Sequence, residues 1–289
     1  MSNLGGRWRA LALVAALILL DPALVRPVGH HDEAVPRVGR QGAGDAVPPP
    51  ERRFQRDSRH FTLAWVEDFK VDHGQASLGD FTFPESASWF HPQNAWVCSD
   101  TLHLRLSPRG AINVRSDRRY VGAEYVRQGA QVFGRFLARM RPAAPPGVVA
   151  SFFTSFLKFD PTYTNLLEHS EIDIEFPGTT RKVQFALHWI DASGQKREIV
   201  KTVPLPFDAG ESFHTWEIEW VPDRVAFYVD GKELHRFTDP EALAELGNPQ
   251  EVRANLWVSP SVPWVGAFDE RSLPVEGLYD WLAAYRMDQ

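Results

Sequence analysis

One cysteine, Cys98, is all that this chain of 289 residues carries, so no intrachain disulfide framework can staple it. Nothing near Cys98 in sequence would lower a thiol pKa, and the residue reads as a buried small hydrophobe, not a nucleophile. Positive charge is also in short supply. Lys and Arg total 31 against 37 Asp and Glu, a formal net charge of −6, and no basic cluster marks the folded region. That charge balance excludes a nucleic-acid partner. Helical periodicity is nearly missing, and no internal repeat or second folded domain is visible. The chain has no phosphate-binding glycine loop, no Gly-x-Ser-x-Gly elbow and no zinc-type histidine pair in the fold, which leaves those enzyme classes little support.

Long apolar runs are limited to one, at residues 10–20. Arg7 and Arg9 precede it, and Asp21 and Pro22 end it. Eleven apolar residues suit the core of a signal peptide and are short for a membrane span. Residues 1–25 are therefore expected to be a signal peptide, with an uncleaved anchor as the alternative, and the protein to be secreted or periplasmic. Residues 26–60 read as a linker rich in Pro, Arg and Gly, with too little apolar surface to fold. The metal-like group His30, His31, Asp32 and Glu33 falls in this linker, without a second set of ligands. Residues 61–289 are left as one domain.

What the chain does have is aromatic residues and turn formers: 10 Trp, 19 Phe and 6 Tyr, with 22 Pro and 20 Gly. Aromatic side chains favour strands, and Trp also suits both cores and sugar-stacking surfaces. Leu102, Leu104 and Leu106 alternate with polar residues, residues 148–156 are a mainly apolar stretch suited to a buried strand, and Trp216, Ile218 and Trp220 alternate with Glu217 and Glu219. Asp230 and Gly231 sit between two strand-like segments, a strong two-residue hairpin signal. One short helix is expected at 240–246, capped by Asp239, and a last strand at 278–286. Many short strands over roughly 230 residues predict an all-β, jelly-roll β-sandwich of two antiparallel sheets.

The most telling segment is Glu171, Ile172, Asp173, Ile174, Glu175, extended by Phe176. Strand side chains alternate between faces, so the three acids share one face while the isoleucines and Phe176 share the other. A solvated acidic face on a half-buried strand would give the same pattern. Three carboxylates with no base between them nevertheless repel one another, and paired carboxylates flanking a bond are what glycoside cleavage uses. Four residues of rise put the Cα atoms of Glu171 and Glu175 about 13 Å apart, so two long side chains must lean together. Crowding of this kind should hold at least one proton near neutral pH.

These residues resemble glycoside hydrolase family 16, and the likeness covers nearly all of residues 61–286. Glu-Ile-Asp-Ile-Glu-Phe at 171–176 is similar to that family's catalytic signature in its regular form, without the extra bulged residue. That form looks like lichenases, plant xyloglucan-modifying enzymes and bacterial exopolysaccharide glycanases. The resemblance implies a concanavalin-like sandwich with a concave substrate cleft. It implies an endo-acting, retaining β-glucanase on a mixed-linkage 1,3-1,4-glucan or a bacterial exopolysaccharide. A transglycosylase or a non-catalytic carbohydrate-binding protein stands as the alternative. By the same likeness Glu171 is the nucleophile, Asp173 the assisting acid and Glu175 the acid/base.

Further matches imply substrate contacts from Arg139, His169, Gln184, His188, Trp257 and Trp264. Residues 133–141 and 147–156 look like paired strands leading to the cleft, and Trp257 and Trp264 like tryptophans that stack sugars. For His188 a structural role is as open as a binding one, and His214 reads as structural. No cofactor is implied, apart from a structural calcium through Asp280, to which backbone carbonyls and water would add oxygen ligands. The expected partner is a polysaccharide, with no nucleic acid, no membrane beyond an N-terminal anchor, and a monomeric state. Leu137, His169 and Ala186 depart from the lichenase pattern, which leaves the substrate-holding shell unlike that of a standard lichenase.

Overall fold

The computed structural model describes residues 50–71, 74–110, 112–114, 116–160 and 165–288. The expected signal segment, most of the expected linker and the group His30, His31, Asp32 and Glu33 lie outside the described residues. Strands dominate from the start. They are β1 (Arg53–Arg56), β2 (Arg59–Glu67), β3 (Ala76–Leu78), β4 (Ser88–Phe90), β5 (Ala95–Cys98) and β6 (Thr101–Pro108). There follow β7 (Tyr120–Gln131), β8 (Gly134–Arg141), β9 (Val148–Phe159), β10 (Leu166–Pro177), β11 (Lys182–Ile190) and β12 (Lys196–Pro204). The last are β13 (His214–Val221), β14 (Arg224–Val229), β15 (Lys232–Phe237), β16 (Gln250–Val258) and β17 (Val275–Met287). Two short helices, α1 (Pro240–Glu245) and α2 (Val262–Val265), interrupt this series. Neither is long and apolar enough to cross a membrane.

The strands form two layers. One sheet runs β15-β14-β13-β8-β17, and β17 is then flanked by β6 along its first half and by β2 along its second. The other runs β3-β7-β16-β9-β10-β11-β12 with every pair antiparallel. The two layers are joined at one edge, where β6 pairs with β7 and β4 lies parallel to β7. This is the jelly-roll sandwich expected from the strand spacing, with one parallel pairing in an otherwise antiparallel ladder.

Alternation places the core. Ile172, Ile174 and Phe176 on β10 are fully buried, as are Trp216, Ile218 and Trp220 on β13. Phe176 meets Trp216 edge-on at 5.0 Å, and Phe185 stacks on Phe227 at 4.4 Å. Each such side chain contributes on the order of 2–3 kcal/mol through the apolar area it removes from water. Asp230 and Gly231, at φ 48° and 78°, make the tight turn between β14 and β15. Asp239 Oδ1 accepts the Ala242 N–H at 2.9 Å and so caps α1. His214 is structural, its Nδ1 2.7 Å from Asp230 Oδ2.

Three expectations need correction. β8 and β9 lie in opposite layers and do not pair, because the Pro-rich corner at 142–147, ending in Gly147 at φ 88°, carries the chain across the sandwich. Cys98 is exposed, since it ends β5 on the outward side just before a turn in which Ser99 and Asp100 have positive φ. The domain also begins before Phe61. β1 pairs with β2, and their hairpin covers the outer face of the first sheet. Phe54 joins Phe61, Leu137, Trp281 and Tyr285 there in a small apolar cluster of its own.

Under that hairpin lies a network of charges. Glu217 and Glu219, expected on a polar face, are buried. Arg135 grips Glu217 with two bonds of 2.7 and 2.9 Å, and Arg224 Nη2 reaches Glu219 at 2.6 Å. Arg56 on β1 bridges both acids, at 2.6 Å to Glu217 Oε1 and 2.9 Å to Glu219 Oε2. Removing a charged partner from buried carboxylates costs more than the bond itself, because the remaining charge stays desolvated. Arg56→Ala is expected to lower unfolding stability by about 2 kcal/mol in a urea titration, while Arg53→Ala, at an exposed position of the same strand, changes it by less than about 0.5 kcal/mol.

Candidate active site

The face of β10 turned away from the core carries His169, Glu171, Asp173 and Glu175, all recessed and almost wholly buried. No bulge breaks the strand over this stretch, whose pairing with β9 and β11 runs residue for residue. Strand register then assembles the surroundings. On β11, His188 stands opposite Glu171, Ala186 opposite Asp173 and Gln184 opposite Glu175. On β9 the corresponding residues are Ser155, Phe153 and Ser151.

The three acids differ in charge state. Burial alone would raise Glu171, but His169 at 3.4 Å, helped by His188 and the Ser155 hydroxyl, holds its carboxylate below the ordinary glutamate value. Burial raises Asp173 well above the usual aspartate range, and the charges of Glu171 and Glu175 add to it. Glu175 is pushed up to about 8, by burial first and then by Glu171, with the bond from Gln184 opposing. At neutral pH the strand therefore presents an ionised Glu171 beside a Glu175 that holds its proton, with Asp173 raised between them. His188 is pushed down to about 4, chiefly by burial, and so stands neutral beside them. Its Nε2 lies 3.4 Å from Asp173 Oδ2, and its ring is near-parallel to that of His169 at 6.4 Å.

Gln184 ties the acid to an aromatic wall. Its Nε2 donates to Glu175 Oε2 at 2.9 Å, and its Oε1 accepts from the Trp264 indole N–H at 3.1 Å. Trp264 sits on α2, which is fastened to the end of the signature strand. Gly178 follows β10 at φ 70°, and a Cβ there would lie 1.9 Å from the Val265 carbonyl oxygen. The Gly147 N–H donates to the same carbonyl at 2.7 Å.

Of the expected site residues, His169, Gln184, His188 and Trp264 are gathered around the acids. Trp257 is on the same face of its sheet but only 2 % exposed, wedged edge-on against Phe83 at 4.9 Å. It forms the floor under Trp264, 6.0 Å away, and presents no face to a sugar. Arg139 is not in the site. It projects from β8 on the outer face of the opposite sheet, next to Leu137, because Ala138 and Met140 take the core side. Asp280 lies on that same remote face and accepts from Arg139 Nη1 at 2.6 Å. A guanidinium already neutralises this carboxylate and would repel a second cation, so the donor set does not fit calcium.

Residues that sequence reasoning passed over complete the face. Glu251, Arg253 and Asn255 alternate along β16, and that alternation was the available signal. Arg253 pairs with Glu124 of β7 at 3.2 Å and with Glu251 at 3.2 Å. Burial pushes Glu124 up to about 7 against the pull of Arg253, with Glu171 reinforcing the rise. Arg253 is thus the arginine on the catalytic face.

A buried carboxylate beside a proton-holding one, on one strand of a jelly roll, is the arrangement on which comparison with known proteins turns. The sequence profile of glycosyl hydrolases family 16 matches residues 87–270. The chain belongs to this family. It is 34% identical over 234 residues to a β-glucanase of Brevibacillus brevis, covering 78% of this chain and 83% of that one. A β-glucanase of Acetivibrio thermocellus is 34% identical over 187 residues, a match spanning 51% of that protein's length. In structure, a prokaryotic β-1,3-1,4-glucanase (lichenase) derived from a mouse hindgut metagenome superposes with a TM-score of 0.66 at 29% identity, over 77% of this chain and 98% of that one. The family 16 chain is accordingly a glycoside hydrolase with the fold of that enzyme.

Two expectations follow from the charge states. With Glu175 as the proton donor, activity should fall as pH rises through about 8, and Gln184→Leu, which removes the bond that favours the carboxylate, should move this limb of the pH–kcat/KM profile upward. Glu175 also binds its proton more tightly folded than unfolded, so the stability it contributes is present below about pH 4.5 and lost as pH rises through about 8. Glu175→Gln should therefore match the parent in Tm below about pH 4 and exceed it by roughly 10 °C at pH 9, read by calorimetry.

Proposed function

We propose that this family 16 protein is a secreted, endo-acting, retaining β-glucanase that cleaves a mixed-linkage 1,3-1,4-glucan or a bacterial exopolysaccharide as a monomer. The observation that carries the reading is the opposite charge state of Glu171 and Glu175 on one strand face. Glu171, the anion, attacks the anomeric carbon while Glu175 passes its proton to the departing glycosidic oxygen. The resulting glycosyl ester at Glu171 is then hydrolysed by a water whose proton Glu175 takes back, which restores both groups. Asp173 sits between them, its carboxyl raised by burial and by both neighbours, so that it resists adding a second negative charge beside Glu171. Trp264 offers a partly exposed indole to stack on the substrate, with its N–H already committed to Gln184.

Support for the substrate comes from the β-glucanases among the relatives and from the lichenase among the structural neighbours. Secretion is supported by the Arg-led apolar run at 10–20, outside the described residues, and by the polymeric nature of such substrates. A non-catalytic carbohydrate-binding protein would have no need to hold a proton on a glutamate beside an ionised one.

Glu171→Gln should lower hydrolysis of lichenan by at least about 10³-fold with the fold intact. Proton NMR of the first products should show the β-anomer before mutarotation. No hydrolysis of lichenan, laminarin, xyloglucan or a succinoglycan-type polymer by the folded protein would refute the proposal. Elongation of added oligosaccharides faster than hydrolysis would make it a transglycosylase instead.

A further inference from the structure

We infer that the catalytic face holds an inhibitory transition-metal site, built by His188, Asp173 and Glu171 and selective for zinc-like ions. Among the described residues these three are the group of His, Cys, Asp and Glu whose donor atoms approach closely enough to share an ion, all lying within 4.8 Å of one another. Every one of them is buried. Four-coordinate zinc with bonds of about 2.0–2.2 Å sets its ligand atoms roughly 3.3–3.6 Å apart. His188 Nε2 and Asp173 Oδ2 are separated by 3.4 Å, as are His169 Nε2 and Glu171 Oε2. Those distances suit the edge of a coordination tetrahedron better than a hydrogen bond.

A second observation concerns hydrogen bonding. Glu171 Oε1 and Asp173 Oδ2, on two of these three residues, are buried without a hydrogen-bond partner, as is the neighbouring His169 Nε2. Buried polar atoms in that state call for a ligand. A third concerns orientation. His188 turns its other ring nitrogen, Nδ1, toward the Glu198 carboxylate on β12, 3.7 Å away, an ion-pair distance and not a hydrogen bond. A carboxylate behind a histidine is the usual support of a metal-bound imidazole, fixing which nitrogen faces the ion. His169 stands next to the group, 3.4 Å from Glu171 Oε2, without belonging to it. A mixed set of imidazole and carboxylate selects zinc or copper over calcium and magnesium, which take oxygen ligands.

The consequence is reversible inhibition. An ion shared by Glu171 and Asp173 occupies the lone pairs of Glu171 that would attack the anomeric carbon. Metal and polysaccharide thus exclude each other.

The test is titration of the chelator-stripped protein with zinc chloride by calorimetry and with cobalt chloride by visible absorption. Expected are one ion per chain and the intense bands of four-coordinate cobalt. His188→Gln and Asp173→Asn should each weaken binding about tenfold or more. Zinc should inhibit hydrolysis competitively with polysaccharide, and chelator should restore it. The Glu198→Gln protein should bind zinc more weakly, which a purely structural role for Glu198 would not bring about. Absence of saturable binding to protein shown to be folded by circular dichroism would overturn the inference, as would unchanged affinity in both His188→Gln and Asp173→Asn. Failure of the glucanase reading looks different, with no hydrolysis in zinc-free buffer while zinc binding persists.

Discussion

Burial of one side of β10 is the constraint from which the rest of the site follows. Ile172, Ile174 and Phe176 are locked into the core against Trp216, and a slip of one residue would turn all of them outward. With that side fixed, the three acids have no choice of face. The neighbouring strands are fixed in the same way, so Gln184, His188 and Ser155 arrive beside the acids by register alone. A site of this kind needs no loop to assemble it, which suits a catalytic group that must be held rigidly.

Recession of the face then converts geometry into chemistry. In water three carboxylates at this spacing would all ionise near their ordinary values. Buried, they part company: burial and mutual repulsion raise Asp173 and Glu175, while His169 holds Glu171 low. The outer face of the opposite sheet makes an instructive contrast. Glu217 and Glu219 are buried just as deeply, but Arg56, Arg135 and Arg224 surround them, and these acids serve as structure. Supply of nearby cations separates the two acidic strands, not burial or spacing.

That contrast also explains what could be read from sequence. Local alternation exposed the catalytic strand, the buried strands, the Asp230–Gly231 turn and the short helix, because each is a property of consecutive residues. Arg139 and Trp257 were misplaced for a different reason. Which of two sheets a strand joins, and what covers its outer face, depends on pairings between distant segments. The corner at Pro142 to Gly147 sends β8 into the other layer, and the segment carrying Phe81 and Phe83 closes over Trp257. Arg253 was overlooked because its significance appears only when β16 is laid beside β9. The N-terminal hairpin was hidden by a composition that looks unfolded until Arg56 meets its two acids.

The chain from Trp264 through Gln184 to Glu175 settles a point that heavy-atom positions alone leave undetermined. An indole nitrogen is a donor only, so the amide of Gln184 must turn its oxygen to Trp264 and its NH₂ to Glu175. Glu175 Oε2 is thereby confined to accepting. The proton that Glu175 holds must then sit on Oε1, the oxygen left free of the amide. Through a single amide, the indole of Trp264 thus decides which edge of Glu175 is loaded with its proton.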